Sequence, residues 1–454
     1  MYIFKFKLSN IKYLGLPLIF LDAYSIYRIP VNWIGFILIF ISYFLSNNVI
    51  KYMKFVFLLL FISLIFEISN INFLELSYLN LQYLSLRNFN LISGIVIFKI
   101  LIEEEFSLHK KFLEFQKYVV YFLVFTTLYI YFAQIFDFFE PLRNRSNTSV
   151  YSGSAQTTFW PNSSHRALGT FREPSYLATY LFPICLLIIK YNKKISKFLI
   201  LIAALSIGLT KSDFIEVICV VIIFLELSNL ILKKQFNNRN ILFFIVAIFL
   251  FSQINIYECR VNPESIDCKE YNQNLNKKIQ TKGVIDINKQ GIEKNVIFDF
   301  DTERFQILKY SIEMLKINNN SGYLGINPSF QYYLYKDTNL EMYLTNRTLP
   351  NYLLDNYPTQ NFGTGRYSLL RFPINIQNKI AFYFLSFGYI FLIFLILFIF
   401  IFFINIKLNN DSIFFIAILL FLVINPIEEF NAFFGLILGY TYQLTYKVKT
   451  NENL

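Results

Sequence analysis

The chain is punctuated by apolar runs too long and too numerous for a soluble core. A hydrocarbon layer about 30 Å thick is crossed by about 20 residues of helix, and about twelve stretches approach that measure. They lie near residues 13–28, 31–46, 52–69, 88–102, 116–136, 174–190, 196–210, 212–232, 240–257, 380–406, 411–427 and 429–446. Hydrophobic residues make up 55% of the 454 positions and aromatic residues 19%, more than one or two soluble domains need. The expected fold is an all-α polytopic membrane protein. Arg28-Ile29-Pro30 joins the first two short spans as a turn in which proline stops the helix.

The formal net charge is +11. Nucleic-acid binding would need that charge gathered on one soluble face, whereas here it is dealt out between apolar spans, so no nucleic-acid partner is expected. Its distribution reads as topology instead. One set of span ends carries Lys5, Lys7 and Lys12; Lys51 and Lys54; Lys110, Lys111 and Lys117; Lys190, Lys193, Lys194 and Lys197; Lys233, Lys234 and Arg239; Lys407; and Lys447 and Lys449. The opposite short connections hold little beyond Arg28, Arg87 and Lys211. By the positive-inside rule both termini are cytoplasmic, and an even number of spans agrees with that. The N-terminal lysines precede an apolar stretch without a small-residue cleavage site, which reads as a retained first span.

This orientation divides the chain into N-terminal spans (1–136), a first outer loop (137–173), central spans (174–257), a large outer loop (258–379) and C-terminal spans (380–454). Within the large loop, Phe305, Leu308, Ile312 and Leu315 recur at helical steps after Arg304, the stripe of an amphipathic helix. Arg304 sits in its first turn, where a cation opposes the helix dipole. It is satisfied either by an anionic ligand or by Glu303 or Asp301. Cys259 and Cys268 either pair as a disulfide, if their loop faces an oxidising compartment, or stay as two thiols. No metal-ligand cluster and no phosphate-cradling G-x-x-x-x-G-K-[ST] loop occurs, so neither a metal nor a cofactor is expected.

The stretch richest in chemistry runs from His165 to Ser175, H-R-A-L-G-T-F-R-E-P-S, directly before an apolar span. At a membrane surface an unpaired charge is costly, by several kcal/mol even after relaxation, roughly. Arg166 and Arg172 suit a phosphate-bearing ligand, because a guanidinium keeps its proton and pairs with phosphate oxygens through parallel hydrogen bonds. A basic helix flank touching headgroups is the simpler reading of one such arginine. Two arginines beside Glu173-Pro174-Ser175 shift the balance toward a site.

In the order of these parts the chain resembles the O-antigen polymerase and O-antigen ligase superfamily of bacterial envelope polysaccharide assembly. R-A-L-G-T-F-R-E-P-S resembles the family's glycine, aromatic and E-P-S pattern. Leu209-Thr210-Lys211-Ser212 resembles its T-x-S-R turn, with Asp213 where arginine is usual. Arg304 and the stripe running to Gly322-Tyr323-Leu324-Gly325 resemble its arginine-to-G-x-G element, and Gln377-Asn378 its H-N element without the histidine. The missing histidine favours polymerase over ligase.

The resemblance implies a GT-C-like fold in the bacterial inner membrane with a periplasmic large loop. The implied activity is metal-independent glycosyl transfer that joins undecaprenyl-pyrophosphate-linked oligosaccharide repeat units. The implied partners are that lipid-linked oligosaccharide, the lipid bilayer and, where chain length is set, a co-polymerase. Glu173 or His165 would take the proton of the attacking hydroxyl. Arg166, Arg172 and Arg304, with Lys211 and Asn378, would hold the pyrophosphate and its developing charge. A ligase and a non-enzymatic flippase are the alternatives, the latter because arginines can also line a transport site.

Overall fold

The computed structural model describes residues 11–19, 25–26, 29–44, 54, 78–103, 106–136, 138, 164–171, 173–191, 195–233, 239–264, 268–269, 273, 393, 396, 417–418, 420–421 and 431–451. Across them the regular secondary structure is helical apart from one antiparallel pair of two-residue strands. The helices are α1 (Ile11–Ile19), α2 (Val31–Phe44), α3 (Tyr78–Glu103), α4 (Phe106–Phe136), α5 (Pro174–Tyr191), α6 (Lys197–Gly208), α7 (Asp213–Lys233), α8 (Arg239–Ser252), α9 (Glu258–Val261) and α10 (Ala432–Asn451). Two of them contain a stretch long and apolar enough to cross a membrane, Leu113–Phe136 and Pro174–Tyr191. The expected spans at 52–69, 380–406 and 411–427 and the amphipathic helix after Arg304 lie largely or wholly outside the described residues.

The first expected span is corrected by the structure. The described helix α1 closes at Ile19, and Ser25–Ile26 (β1) pairs with Ile29–Pro30 (β2), Ser25 opposite Pro30 and Ile26 opposite Ile29. Pro30 has no amide hydrogen to donate, so it tolerates only the edge of such a pair. Helices α3 and α4 begin about ten residues before their apolar runs. The early turns are mixed: Tyr78–Arg87 in α3 alternates leucine and tyrosine with polar residues, and Phe106–Lys117 in α4 carries His109, Lys110, Lys111, Glu114 and Lys117. Hydropathy marks the part of a helix that needs apolar surroundings, and the helix itself continues wherever no proline or glycine stops it.

Clustering of contacts divides the chain into two units, residues 1–39 with 110–299 and residues 40–109 with 300–454. In the first, α8 packs against α5, α6 and α7. Ser196 caps α6, its hydroxyl accepting from the Leu199 amide at 3.1 Å, a bond that satisfies one of the helix's orphan donors. Small residues let the helices approach: a side chain on Gly208 would meet Phe251 and the Ile248 carbonyl at 2.7–2.8 Å. Phe182 of α5 stacks on Phe244 of α8 at 6.2 Å. On α4, Val120, Leu123, Val124, Thr127 and Tyr131 are buried, while Tyr118, Phe122, Phe125, Tyr129, Phe132 and Phe136 form an exposed ridge on the opposite face. Val217, Val220, Phe224, Leu227 and Ile231 make a similar exposed ridge on α7.

In the second unit α3 and α10 pack along their length. Asn431 caps α10 by accepting from the Phe433 and Phe434 amides at 3.0 and 3.4 Å. Gly435 lies against the Gly94 backbone and Gly439 against Leu101, and the Gln443 amide donates to the Ile102 carbonyl.

Candidate functional site

The segment from Ser164 to Phe171 is an irregular strand threaded between two turns. The His165 amide donates to the Ile256 carbonyl just after α8, at 2.6 Å. The Ala167 amide donates to the Leu209 carbonyl at the end of α6, at 2.8 Å. Apolar side chains hold it in place: Ala167, Leu168 and Phe171 are buried, and Phe171 stacks on Tyr180 of α5 at 5.2 Å. Gly169 turns the strand with φ of +56°, a backbone state that glycine adopts without strain. A methyl group there would run into the Thr127 hydroxyl of α4. Gly169→Ala is therefore expected to cost about 1–2 kcal/mol for the left-handed backbone alone. The loss would appear as a lower thermal midpoint in detergent.

The first residues of the motif separate in role. His165 is fully buried, its ring stacked on Tyr131 at 4.1 Å, with Nε2 placed 3.1 Å from the Tyr131 carbonyl. A carbonyl only accepts, so Nε2 carries the proton of that bond. This residue ties the motif to the end of α4. Arg166 reaches sideways: its Nε donates to the Thr210 carbonyl at 2.7 Å, in the turn between α6 and α7. Burial lowers the guanidinium pKa, while the Asp213 and Glu173 carboxylates oppose that shift. Asp213 is the first residue of α7 and acts on Arg166 with its carboxylate charge. Beside Arg166 a second guanidinium would repel, and the carboxylate instead supports the charge.

Glu173 closes the strand and opens α5. Its carbonyl accepts from the Tyr176 and Leu177 amides at 3.0 and 3.3 Å, and Pro174 follows as the first helical residue, where its missing amide hydrogen costs nothing. The half-buried carboxylate accepts from the Ser175 hydroxyl at 3.5 Å and sits at the positive end of the helix. Lys211 occupies the α6–α7 turn with φ of +49°, the one non-glycine positive φ among the described residues. Its ammonium donates to the Asn255 side-chain oxygen. Burial lowers the Lys211 pKa, with Glu216 opposing and Arg166 adding to the shift.

A disulfide joins Cys259 of α9 to Cys268, Cα atoms 5.4 Å apart. Glu264 and Lys269 pair at 2.6 Å, and Arg260 lies over the Tyr257 ring at 5.1 Å. The structure thus brings His165, Arg166, Glu173 and Lys211 into one region: the Thr210 carbonyl ties Arg166 to the Lys211 turn, the Ile256 carbonyl holds the His165 amide, and the Glu173 carboxylate supports the Arg166 charge. Arg172, Arg304 and Asn378 lie outside the described residues. Among the described residues no group of three or more His, Cys, Asp or Glu side chains is placed to hold a metal ion.

No family model, curated protein or solved structure matches the chain. The site therefore has to be read from its own chemistry. Sequence reasoning did not reach Thr127 and Tyr131, which back the motif from α4, or Asn255, which holds Lys211. Asp213 carried a weaker signal, an acidic residue two positions after Lys211 at the start of an apolar run.

Proposed function

We propose that the chain is a polymerase of undecaprenyl-pyrophosphate-linked oligosaccharide repeat units, with about twelve membrane spans. It would sit in the bacterial inner membrane, both termini cytoplasmic and the large loop periplasmic. The observation that carries this reading is the meeting of Arg166, Lys211 and Glu173 where three apolar helices end. A base beside cations is what transfer from a lipid pyrophosphate asks of a protein, because the leaving group is already good and the remaining work is positioning and charge stabilisation.

Two further features support the membrane setting. The exposed apolar ridges of α4 and α7 are surfaces that acyl chains would cover. The disulfide suits an oxidising compartment, which is the side the lysine pattern assigns to the large loop. The polymer could be O-antigen, capsule or exopolysaccharide, and a co-polymerase would act from outside this site.

Within this mechanism Glu173 takes the proton of the attacking hydroxyl. His165 is enclosed and committed to the Tyr131 carbonyl, so it positions the strand and the base role passes to Glu173 alone. Arg166 anchors the motif to the α6–α7 turn and adds positive charge. Lys211, Arg172, Arg304 and Asn378 bind the pyrophosphate, Arg172 and Arg304 absorbing its developing charge.

The test is incubation of the purified protein with synthetic lipid-pyrophosphate repeat units, without nucleotide sugar or metal, read as a ladder of longer glycans on a gel. Arg172→Ala and Arg304→Ala are each expected to slow ladder growth by about 10²–10³, the loss seen when one oxyanion-hole donor is removed. A folded wild-type protein that builds no ladder would turn the assignment to ligase or flippase, which a lipid A core acceptor then separates.

A further inference from the structure

We propose that Asn255 is a positioning residue that presents the Lys211 ammonium to a phosphate oxygen of the lipid-pyrophosphate substrate. The inference rests on the polymerase reading and deepens it by assigning one contact of the anion site. Three observations converge on it. Lys211 adopts a left-handed backbone that a lysine pays for and a glycine would not; such strain persists where the surroundings fix it and gathers at functional sites. Its side chain is only part-buried, and Asn255 is exposed, so an anion can reach the ammonium from outside. Finally, Asn255 is itself held, its Nδ2 donating to the Gln253 carbonyl at 3.2 Å, which directs Oδ1 rather than the amide nitrogen toward Lys211.

The neighbourhood sets what the ammonium would bind. Arg166 faces it from the motif strand and Glu216 from the first turn of α7, with Asp213 beside Arg166. An amide oxygen orients the ammonium without neutralising it, so Lys211 keeps its charge for a ligand. A carboxylate at 255 would consume that charge. The nearby guanidinium repels the ammonium, and an anion with adjacent charged oxygens relieves the repulsion. A pyrophosphate ester has that form.

The experiment uses the full-length protein in detergent and reads acylation of Lys211 by a water-soluble succinimidyl ester, followed by peptide mass spectrometry across pH. Inorganic pyrophosphate is the probe. In the wild type, pyrophosphate is expected to slow Lys211 acylation several-fold, and in Asn255→Ala that protection disappears. Asn255→Asp, which keeps the side-chain shape and so guards against a folding failure, should slow acylation without pyrophosphate about tenfold at neutral pH, because a carboxylate partner cuts the neutral amine fraction. A purely structural Asn255 would leave pyrophosphate protection of Lys211 intact in Asn255→Ala, and that result would overturn the proposal. Failure of the polymerase reading is separate. A protein that protects Lys211 but builds no glycan ladder retires the polymerase and leaves the anion site, whereas a ladder with unprotected Lys211 does the reverse.

Discussion

Gly435→Leu is expected to abolish the folded protein. The α3–α10 pair meets backbone to backbone at this point, the position a side-chain carbon would occupy on Gly435 falling inside the Gly94 carbonyl group. The obstacle is main chain, so no rotamer change relieves it. One turn later Gly439 admits Leu101, whose β and δ carbons would lie 2.7 and 2.9 Å from an added methyl. Gly-x-x-x-Gly spacing places both on one face of α10 and lets two backbones approach closely, which is how helices associate where lipid removes the hydrophobic drive between them. Gly435→Ala already requires the helices to part, at a cost of about 1–3 kcal/mol, and leucine adds a branched side chain to the same gap. Fluorescence-detected size exclusion checks this: Gly435→Leu should give aggregate, Gly435→Ala a monodisperse peak with a lower melting temperature. Gly439→Ala should lower the melting temperature as well, since its nearest obstacle is the Leu101 β carbon, which the backbone fixes and no rotamer change moves.

The same glycines show what the sequence could and could not disclose. Apolar runs located α2, α5, α6, α7 and α8 to within about five residues, because each is apolar along most of its length, although α5 alone among these five contains a stretch long enough to cross a membrane. The starts of α3 and α4 were invisible to that measure, and of the Ser25–Pro30 pair β1 lay inside an expected span while β2 lay in the turn expected after it. For the candidate site, the stretch from His165 to Ser175 and the Thr210-Lys211-Ser212 turn stood out separately, by residue type. What joined them did not: Arg166 meets the Thr210 carbonyl across 44 positions and Lys211 meets Asn255 across another 44. Such contacts use a carbonyl that every residue possesses and an asparagine like many others in this chain, so nothing in composition singled them out.

His165 is the instructive case. In sequence it had every property of a base, with a suitable ordinary pKa and an arginine and a glutamate nearby. Enclosure changed its meaning. The ring lies flat on Tyr131 and spends Nε2 on a backbone carbonyl, and a buried imidazole engaged in that way fixes geometry. In the proposed mechanism the base role then falls to the half-buried Glu173 carboxylate at the end of the same segment.

Glu173→Gln is the sharpest test of that division of labour. The two side chains match in shape, and both can accept from Ser175, so the cap on α5 and the fold should survive. The amide cannot take a proton, and loss of a positioned general base costs about 10²–10⁴ in rate. The carboxylate also supports the Arg166 charge, so part of any loss could come from a displaced guanidinium. Glu173→Asp separates the two contributions: it keeps charge and basicity but withdraws the carboxylate by one methylene, and a misplaced base should retain more activity than an absent one. Equal loss in both variants would mean that position matters as much as ionisation. Activity near wild type in Glu173→Gln, measured as initial ladder growth on saturating lipid-linked repeat unit, would remove Glu173 as the base. Within the motif no other ionisable side chain could then take the role, since His165 is enclosed and both arginines stay protonated, and the search for the base would move to the large loop.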